Sequence, residues 1–354
     1  MFSRLNSLPI FGLSITMNLF GQTRAELSAL CIELGQQAFR GKQIADWIYK
    51  RGVRNISDMT NLPASFREQL SATAALTRSK VLKESRSPDG TTKYLLELSD
   101  GETIESVLLP YSDRISVCVS TQVGCPAGCL FCATADCGFL RNLTTGEIVD
   151  QVLTLQEKGG QRVTHVVFMG MGEPLLNFDS VIKALHLLND EIKIGMRHMT
   201  ISTVGIPPMI RRLQELDLQI TLAISLHAPT DDLRQNLIPV SRKYPLSELI
   251  PTCRDYANFT KRRITIEYLL IADVNDSPAQ AQELVNLLRH MLCNVNLIPY
   301  NEVTGKPFKR PTRQSIQAFR SILEQAGIEV TQRMERGHSV SAACGQLRRR
   351  YTPS

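Results

Sequence analysis

Three cysteines crowd one short stretch of the chain, Cys125-Pro126-Ala127-Gly128-Cys129-Leu130-Phe131-Cys132. The gaps are three residues and then two, in a glycine-containing loop just after a strand-like segment. A cubane of four irons takes one ligand per iron, normally a thiolate. Three thiolates from one loop therefore hold a cubane and leave one iron open. A catalytic metal centre keeps such a position for its substrate. Phe131, between the second and third thiols, would shield the centre from water. The alternative is a zinc loop, which needs a fourth ligand such as Cys137 or a distant histidine. Zinc pairs usually leave two residues between cysteines, and the three-residue gap fits them poorly.

The chain has nine cysteines, and an odd number in 354 residues argues against a secreted disulfide scaffold. Four of them fall between Cys125 and Cys137, which points to metal or redox chemistry in a reducing compartment. Cys31, Cys253 and Cys293 read as core residues. Gly170-Met171-Gly172-Glu173-Pro174 faintly imitates a dinucleotide loop, but the third glycine is missing and a Glu-Pro pair follows, so a Rossmann reading is rejected.

The elements that must position these groups follow from periodicity. Residues 25–34, 41–51 and 62–70 carry apolar side chains at helical spacing, which predicts a small helical domain. Residues 94–98 and 103–109 flank Ser99-Asp100-Gly101-Glu102 and read as a hairpin, with a third strand at 114–120. From about residue 125 to 333 the pattern becomes strand followed by helix. Strands are expected at 163–169, 198–202, 220–225, 264–271, 295–298 and 328–332. Helices are expected at 179–188, 207–216, 246–258, 278–292 and 312–326. Such alternation means an α/β fold with a parallel sheet, open or closed into a partial or full barrel. Barrel chemistry sits at the C-terminal strand ends. Four unusual segments fall there: 170–174, Ser202-Thr203-Val204-Gly205, Ser225-Leu226-His227 and Pro299-Tyr300-Asn301.

No stretch of eighteen apolar residues exists, so no membrane span is expected. The run from Leu8 to Phe20 reads as an N-terminal extension rather than a secretion signal, with Met17 as a second candidate start. Net charge is +6, and from Tyr300 onward ten Lys/Arg face four Glu, so the tail alone accounts for the excess. A second basic stretch, Arg40, Lys42, Lys50, Arg51 and Arg54, surrounds Trp47. Basic ends around a neutral middle suit nucleic acid, although a solvated charged face has the same composition.

The chain resembles the radical S-adenosylmethionine superfamily and, more narrowly, the RlmN/Cfr family of RNA adenine methyltransferases. The carrying segments are residues 114–125 leading into the cysteine triplet, Gly138-Phe139-Leu140-Arg141-Asn142-Leu143, residues 170–177, Ser225-Leu226-His227-Ala228 and Ala342-Ala343-Cys344-Gly345-Gln346-Leu347. The resemblance runs from about Ala25 to Leu347. It implies a partial (β/α)6 barrel in an α/β fold, with a small N-terminal helical domain and a short β-hairpin linker. The implied division is an extension at 1–23, a helical RNA-binding accessory domain at 24–80, a hairpin linker at 81–120, the barrel at 121–335 and a C-terminal segment at 336–354.

The roles it implies fall on matching residues. Cys125, Cys129 and Cys132 would hold a [4Fe-4S] cluster. Gly172, Glu173, Ser202, Ser225, Leu226, His227 and Asn301 would line the pocket for S-adenosylmethionine, of which two molecules serve each turnover. Cys344 matches the cysteine that carries the methyl group, Cys118 the thiol that resolves the intermediate and Glu105 the catalytic base. The implied reaction methylates carbon 2 of an adenosine in 23S rRNA and of the tRNA adenosine beside the anticodon. Carbon 8 of the same ribosomal adenine is the alternative within the family. A zinc protein that merely binds RNA is the alternative outside it. A flavodoxin-type electron donor, a monomer and a cytoplasmic location complete the expectation.

By their immediate surroundings, Glu105 could be a solvated strand carboxylate, Cys118 and Cys344 inert thiols, and His227 a satisfied core histidine. Ser339 stands where the family usually has an aspartate, which bears on RNA positioning. Residues 306–310, Lys-Pro-Phe-Lys-Arg, are a basic variant of a loop that the family varies.

Overall fold

The computed structural model describes residues 17–332 together with Gly337, Val340, Ala342 and residues 345–347. The chain forms two compact units that divide between Thr77 and Arg78.

The first unit contains β1 (Met17–Asn18), α1 (Arg24–Glu33), α2 (Phe39–Ala45), α3 (Ala64–Thr73) and β2 (Ala74–Ala75). Thr23 and Glu26 close a capping box at the start of α1, which satisfies two backbone donors that the helix cannot reach itself. The helix expected over 41–51 divides, because α2 passes directly into one π-helical turn, Asp46–Lys50. Leu27, Cys31, Ile44, Ile48, Phe66 and Leu70 form the core, with Cys31 fully buried as expected. β1 and β2 pair in parallel.

The second unit begins with β3 (Lys80–Arg86), β4 (Thr92–Glu97), β5 (Thr103–Pro110), β6 (Ile115–Cys118), β7 (Gln122–Gly124) and β8 (Phe139–Asn142). Alternation follows: α4 (Thr145–Gly159), β9 (His165–Phe168), α5 (Phe178–Asp190), β10 (Met199–Thr203), α6 (Pro207–Glu215) and β11 (Thr221–Ser225). Then come α7 (Asp231–Leu237), α8 (Leu246–Thr260), β12 (Ile264–Leu270), α9 (Pro278–Leu288), β13 (Cys293–Pro299), α10 (Arg313–Gln325) and β14 (Val330–Gln332). Ten strands form one sheet in the order β14-β13-β12-β11-β10-β9-β6-β5-β4-β3. From β6 through β14 every pairing is parallel, and β3, β4 and β5 continue the sheet in antiparallel. β14 and β3 stand at its two ends, so the barrel is partial and open.

Seven elements escape the periodicity reading: the short β1, β2, β7 and β8, together with β3, α4 and α7. β3 lies at the sheet edge, and its Lys80, Lys83, Glu84, Ser85 and Arg86 give no apolar alternation. Charge of this kind blunts an edge against pairing with other chains. Helix α4 buries Asp150, Gln151 and Thr154 along with its apolar residues, which breaks the stripe that signals a helix. Those polar groups are satisfied. Asp150 pairs with Arg78 at 2.5 Å, and Gln151 accepts from Ser106 Oγ at 2.6 Å and from the Ser120 N–H at 2.7 Å. α7 has only seven residues and buries Arg234.

The register decides which residues share the inside of the barrel. Side chains of directly paired residues lie on one face of a sheet, and successive residues alternate. Val107 pairs with both Lys93 and Cys118, Cys118 with Val167, and Val167 with Thr200. Thr200 pairs with Thr221, Ser202 with Ala223, and Ser225 with Glu267. Lys93, Glu105, Cys118, Ser202, Ser225 and Glu267 therefore share one face. The opposite face carries Val117, Val166, Ile201, Leu222, Ile224 and Ile266, all buried. The polar face is the barrel interior, and burial of the apolar face fixes the register.

Candidate active site

A cavity of about 150 Å³ opens at the C-terminal ends of the parallel strands, where barrel folds place their chemistry. Cys125, Cys129 and Cys132 line it together. Their loop is held from three sides. The Cys125 N–H donates to Gly138 O at 3.0 Å, and the Leu130 N–H donates to Leu237 O at 3.0 Å. The Ala133 N–H donates to Gly345 O at 2.7 Å. Burial pushes the Cys125 thiol up to about 12 and raises Cys129 and Cys132, with the neighbouring sulfurs adding to the effect at Cys125 and Cys129. Among the described residues no group of three His, Cys, Asp or Glu side chains converges tightly enough for a single metal ion. Three thiols around a roomy cavity instead fit a body larger than one ion. A cubane has that size, and thiolates are its usual ligands. A mononuclear zinc site of four converging ligands does not match this arrangement.

Opposite the thiols lies the loop after β9. A Cβ on Gly172, whose φ is +105°, would stand 2.7 Å from Gln122 Cβ and Thr121 Oγ1, so only glycine allows this approach. Gln122 Oε1 accepts from the Glu173 N–H at 2.9 Å and sets the loop. The Glu173 carboxylate accepts from the Val204 N–H at 2.8 Å and from the Leu175 N–H at 3.0 Å. Full burial nevertheless raises its pKa to about 7, and the hydrogen bonds only partly offset that rise.

This sets a pH dependence for the cluster-free chain. With the folded value above the ordinary 4.5, the unfolded chain ionises first. Stability is full below about pH 4.5, falls as pH rises and levels off above about 7. The fall is roughly 3 kcal/mol. Chemical denaturation between pH 4 and 8 should show this loss in the native chain and a flatter curve in Glu173→Gln. Parallel curves for the two proteins would refute it.

Ser202, Ser225 and His227 also line the cavity. The two serine oxygens stand 3.3 Å apart. His227 has φ of +59°, and its Nδ1 accepts from the Leu269 N–H at 3.0 Å. Burial, helped by the charge of Arg234, pushes its pKa down to about 3. The ring is therefore neutral and carries its proton on Nε2. It meets Phe131 edge to face at 5.1 Å. Phe131 is 7% exposed, in keeping with a shielding role.

Two expected pocket residues lie just outside the lining. Leu226 is fully buried, and its N–H donates to Glu267 O at 3.1 Å. Asn301 is buried, and its Oδ1 has no partner among the described residues. An orphaned buried acceptor suits a donor on a bound molecule. Glu105 and Cys118 also lie off the cavity lining, on β5 and β6, facing the barrel interior. Glu105 is 7% exposed and pairs with Lys93 Nζ at 2.8 Å. Cys118 is buried beside Val107 and Val167. Cys344 and Ser339 lie outside the described residues.

Sequence reasoning placed Tyr300 in one of the segments at the strand ends but missed Met169, Glu267, Leu269 and Ile298 in the lining. A period-two count along Ile264–Leu270 puts Thr265, Glu267 and Leu269 on one face, and that signal could have found two of them. It also missed Gly345 and Leu347. Both line the cavity, and Leu347 O accepts from Thr134 Oγ1 at 2.6 Å.

Comparison with known proteins agrees with this geometry. The Radical SAM superfamily profile matches residues 119–285, and the profile described as the ribosomal RNA large subunit methyltransferase N-terminal domain matches residues 17–76. A probable dual-specificity RNA methyltransferase RlmN of Gloeobacter violaceus is 51% identical over 336 residues, 95% of this chain and 96% of its own. The protein of that name from Thermosynechococcus vestitus is 51% identical over 332 residues, covering 94% and 98%. The crystal structure of a radical SAM methyltransferase from Sphaerobacter thermophilus superposes with a TM-score of 0.90 at 45% identity, over 94% of this chain and 99% of that one. Half the residues are shared along nearly the whole length, on one fold, and the chain belongs to the RlmN family of radical S-adenosylmethionine RNA methyltransferases.

Proposed function

We propose that this methyltransferase places a methyl group on carbon 2 of adenosine in 23S rRNA and in tRNA, through a methylated cysteine. Three thiols around one cavity carry the reading, with Glu105 and Cys118 on the sheet face that also bears Ser202 and Ser225. When bound, the cluster and S-adenosylmethionine supply one-electron chemistry and the methyl group.

The chain's own residues do the rest. Cys125, Cys129 and Cys132 hold the cluster. Glu173, Ser202, Ser225 and Asn301 offer polar atoms to the cosubstrate, while Gly172 lets the backbone approach and Leu226 and His227 shape the wall. Adenine carbon 2 is electron-poor and its hydrogen is scarcely acidic, so neither ordinary nucleophilic attack nor a side-chain base alone can functionalise it. Cys344 carries the methyl group, since a thiolate accepts one readily. Gly345, its successor in the sequence, lines the cavity. Once the ring carbon is joined to that group and the adduct has given up one electron, Glu105 takes the ring proton, and Cys118 attacks the sulfur of Cys344 and breaks its bond to the bridging carbon, which takes up a proton and becomes the methyl group. The RNA leaves, and the two sulfurs remain as a disulfide that an outside reductant must open. The adenine must leave its stack to reach this chemistry, which favours unpaired or flipped targets. A flavodoxin-type donor, a monomeric state and a cytoplasmic setting complete the proposal. No helix among the described residues is long and apolar enough to cross a membrane.

The test is RNA methylation by anaerobically reconstituted protein, read by mass spectrometry of digested RNA. The native chain should give 2-methyladenosine, and Cys344→Ala should give none above background. Only 8-methyladenosine from the native chain would overturn the carbon assignment. Undiminished methylation by Cys344→Ala would overturn the methyl-carrier step.

A further inference from the structure

Arg234 is 0% exposed, the most complete burial of a charged side chain among the described residues. Nη2 donates to the Val204 carbonyl, and Nη1 donates to Tyr244 O at 3.4 Å. Its Nε–H has no partner among the described residues. Both partners are neutral, and among the described residues no carboxylate lies within ion-pair distance of it. Asp231, the nearby acid on the same helix, accepts from the Leu246 N–H at 2.8 Å. Cys253 is also close, as a buried neutral thiol. A guanidinium in such a place is costly unless an anion faces it.

Its position shows where that anion belongs. α7 and the turn after it cap the cysteine loop. Leu237 O accepts from the Leu130 N–H, and the Val240 N–H donates to Ala127 O. Among the groups whose charge reaches Arg234, Asp231 acts most strongly, followed by Cys253 and Cys129, and Arg234 in turn depresses His227. Through Val204 it also joins Glu173, because Val204 accepts from Arg234 and donates to Glu173 Oε2. A cubane held by three thiolates carries net negative charge, and reduction adds one more electron. We infer that Arg234 is the buried counter-charge of the cluster, a positioning residue that favours the reduced state by neutralising the added electron. The inference rests on the reading that Cys125, Cys129 and Cys132 hold that cluster.

The sign follows from charge alone. Removing a fixed positive charge disfavours the reduced cluster and lowers its midpoint potential. An effect of about tenfold in the one-electron equilibrium corresponds to about 59 mV. The experiment uses the full chain purified without oxygen, in native, Arg234→Lys, Arg234→Gln and Arg234→Met forms. Iron and sulfide are counted, and dithionite titration with mediators is followed by electron paramagnetic resonance, with and without S-adenosylmethionine. Cluster-free samples are unfolded in denaturant. Charge should order the results. Lys should stay near native, and Gln and Met should be about tenfold harder to reduce or should lose iron. The cluster-free Met form should be no less stable than native, because replacing a buried unpaired charge by an apolar chain of similar volume is neutral or stabilising.

Four results would overturn the inference. The Lys form could behave like the Gln form, or the potentials could be equal in all four proteins. All three variants could fail to take up iron, which marks a scaffold role. Finally, only the affinity for S-adenosylmethionine could change, which assigns the charge to the carboxylate of the cosubstrate. A native chain without iron would instead defeat the cluster assignment itself, so the two failures are distinguishable.

Discussion

Cys129→Ala should fold, retain little iron and sulfide after anaerobic purification, and methylate RNA at less than about a thousandth of the native rate. Of the three cavity thiols Cys129 is the most deeply enclosed, which is why burial raises its pKa so far without a metal. Without a metal that burial keeps the sulfur a neutral thiol, and a metal centre that takes the place of its proton is what makes it a thiolate. Alanine costs little packing there, since the sulfur of the native residue faces a cavity rather than a close-packed wall. Circular dichroism and a thermal melt of the cluster-free proteins should therefore nearly coincide. Cys137 gives the contrast. It is only partly buried, and its Sγ sits 3.8 Å from the Ala133 carbonyl. Cys137→Ala should keep its iron. Loss of iron from Cys137→Ala and full loading of Cys129→Ala would reverse the ligand assignment.

The contrast between those two cysteines shows what the sequence makes legible. Ligand spacing in one loop is local, so the triplet could be picked out before any fold was known. The alternation of strand and helix is local as well, and nearly every barrel strand falls where periodicity put it. What depends on pairing between distant segments was out of reach. Nothing near Lys93 in the sequence announces that it faces Glu105 across two strands, because that contact exists only in the β4–β5 register. Arg234 looks like one more surface charge on a short helix, since its burial is set by the loop and the strand end that close over it. The polar residues of α4 hid a helix for the same reason: Asp150 and Gln151 are buried against partners 72 and 31 positions away. Chain chemistry reads out locally, whereas electrostatic pairing inside the barrel is a property of the register.

Glu105→Gln should leave the protein folded and its iron loaded, and should slow RNA methylation by about a thousandfold, within the range expected for a lost general base. The carboxylate is nearly enclosed, faces the barrel interior beside the Cys118 strand and is held by Lys93 at 2.8 Å. Two roles fit such a group. If it is only the anionic half of an ion pair, glutamine still accepts a hydrogen bond from Lys93 but loses the charge attraction. Stability then drops while turnover survives. If it takes the ring proton, glutamine cannot replace it at all, whatever the stability does. The readouts separate on these lines. The base role requires a collapsed methylation rate with S-adenosylmethionine still consumed, because the missing step comes after the ring carbon has been joined to the methyl group. Lys93→Met supplies the complementary arm. It removes the ion pair and leaves the carboxylate itself in place. Lys93→Met should therefore keep a methylation rate well above that of Glu105→Gln, whatever either change does to stability. Methylation by Glu105→Gln within fivefold of native would leave the pair a structural one and send the search for the base elsewhere on the interior face, to Glu267 first, whose carboxylate lines the same cavity and accepts from Asn296 Nδ2 at 2.8 Å.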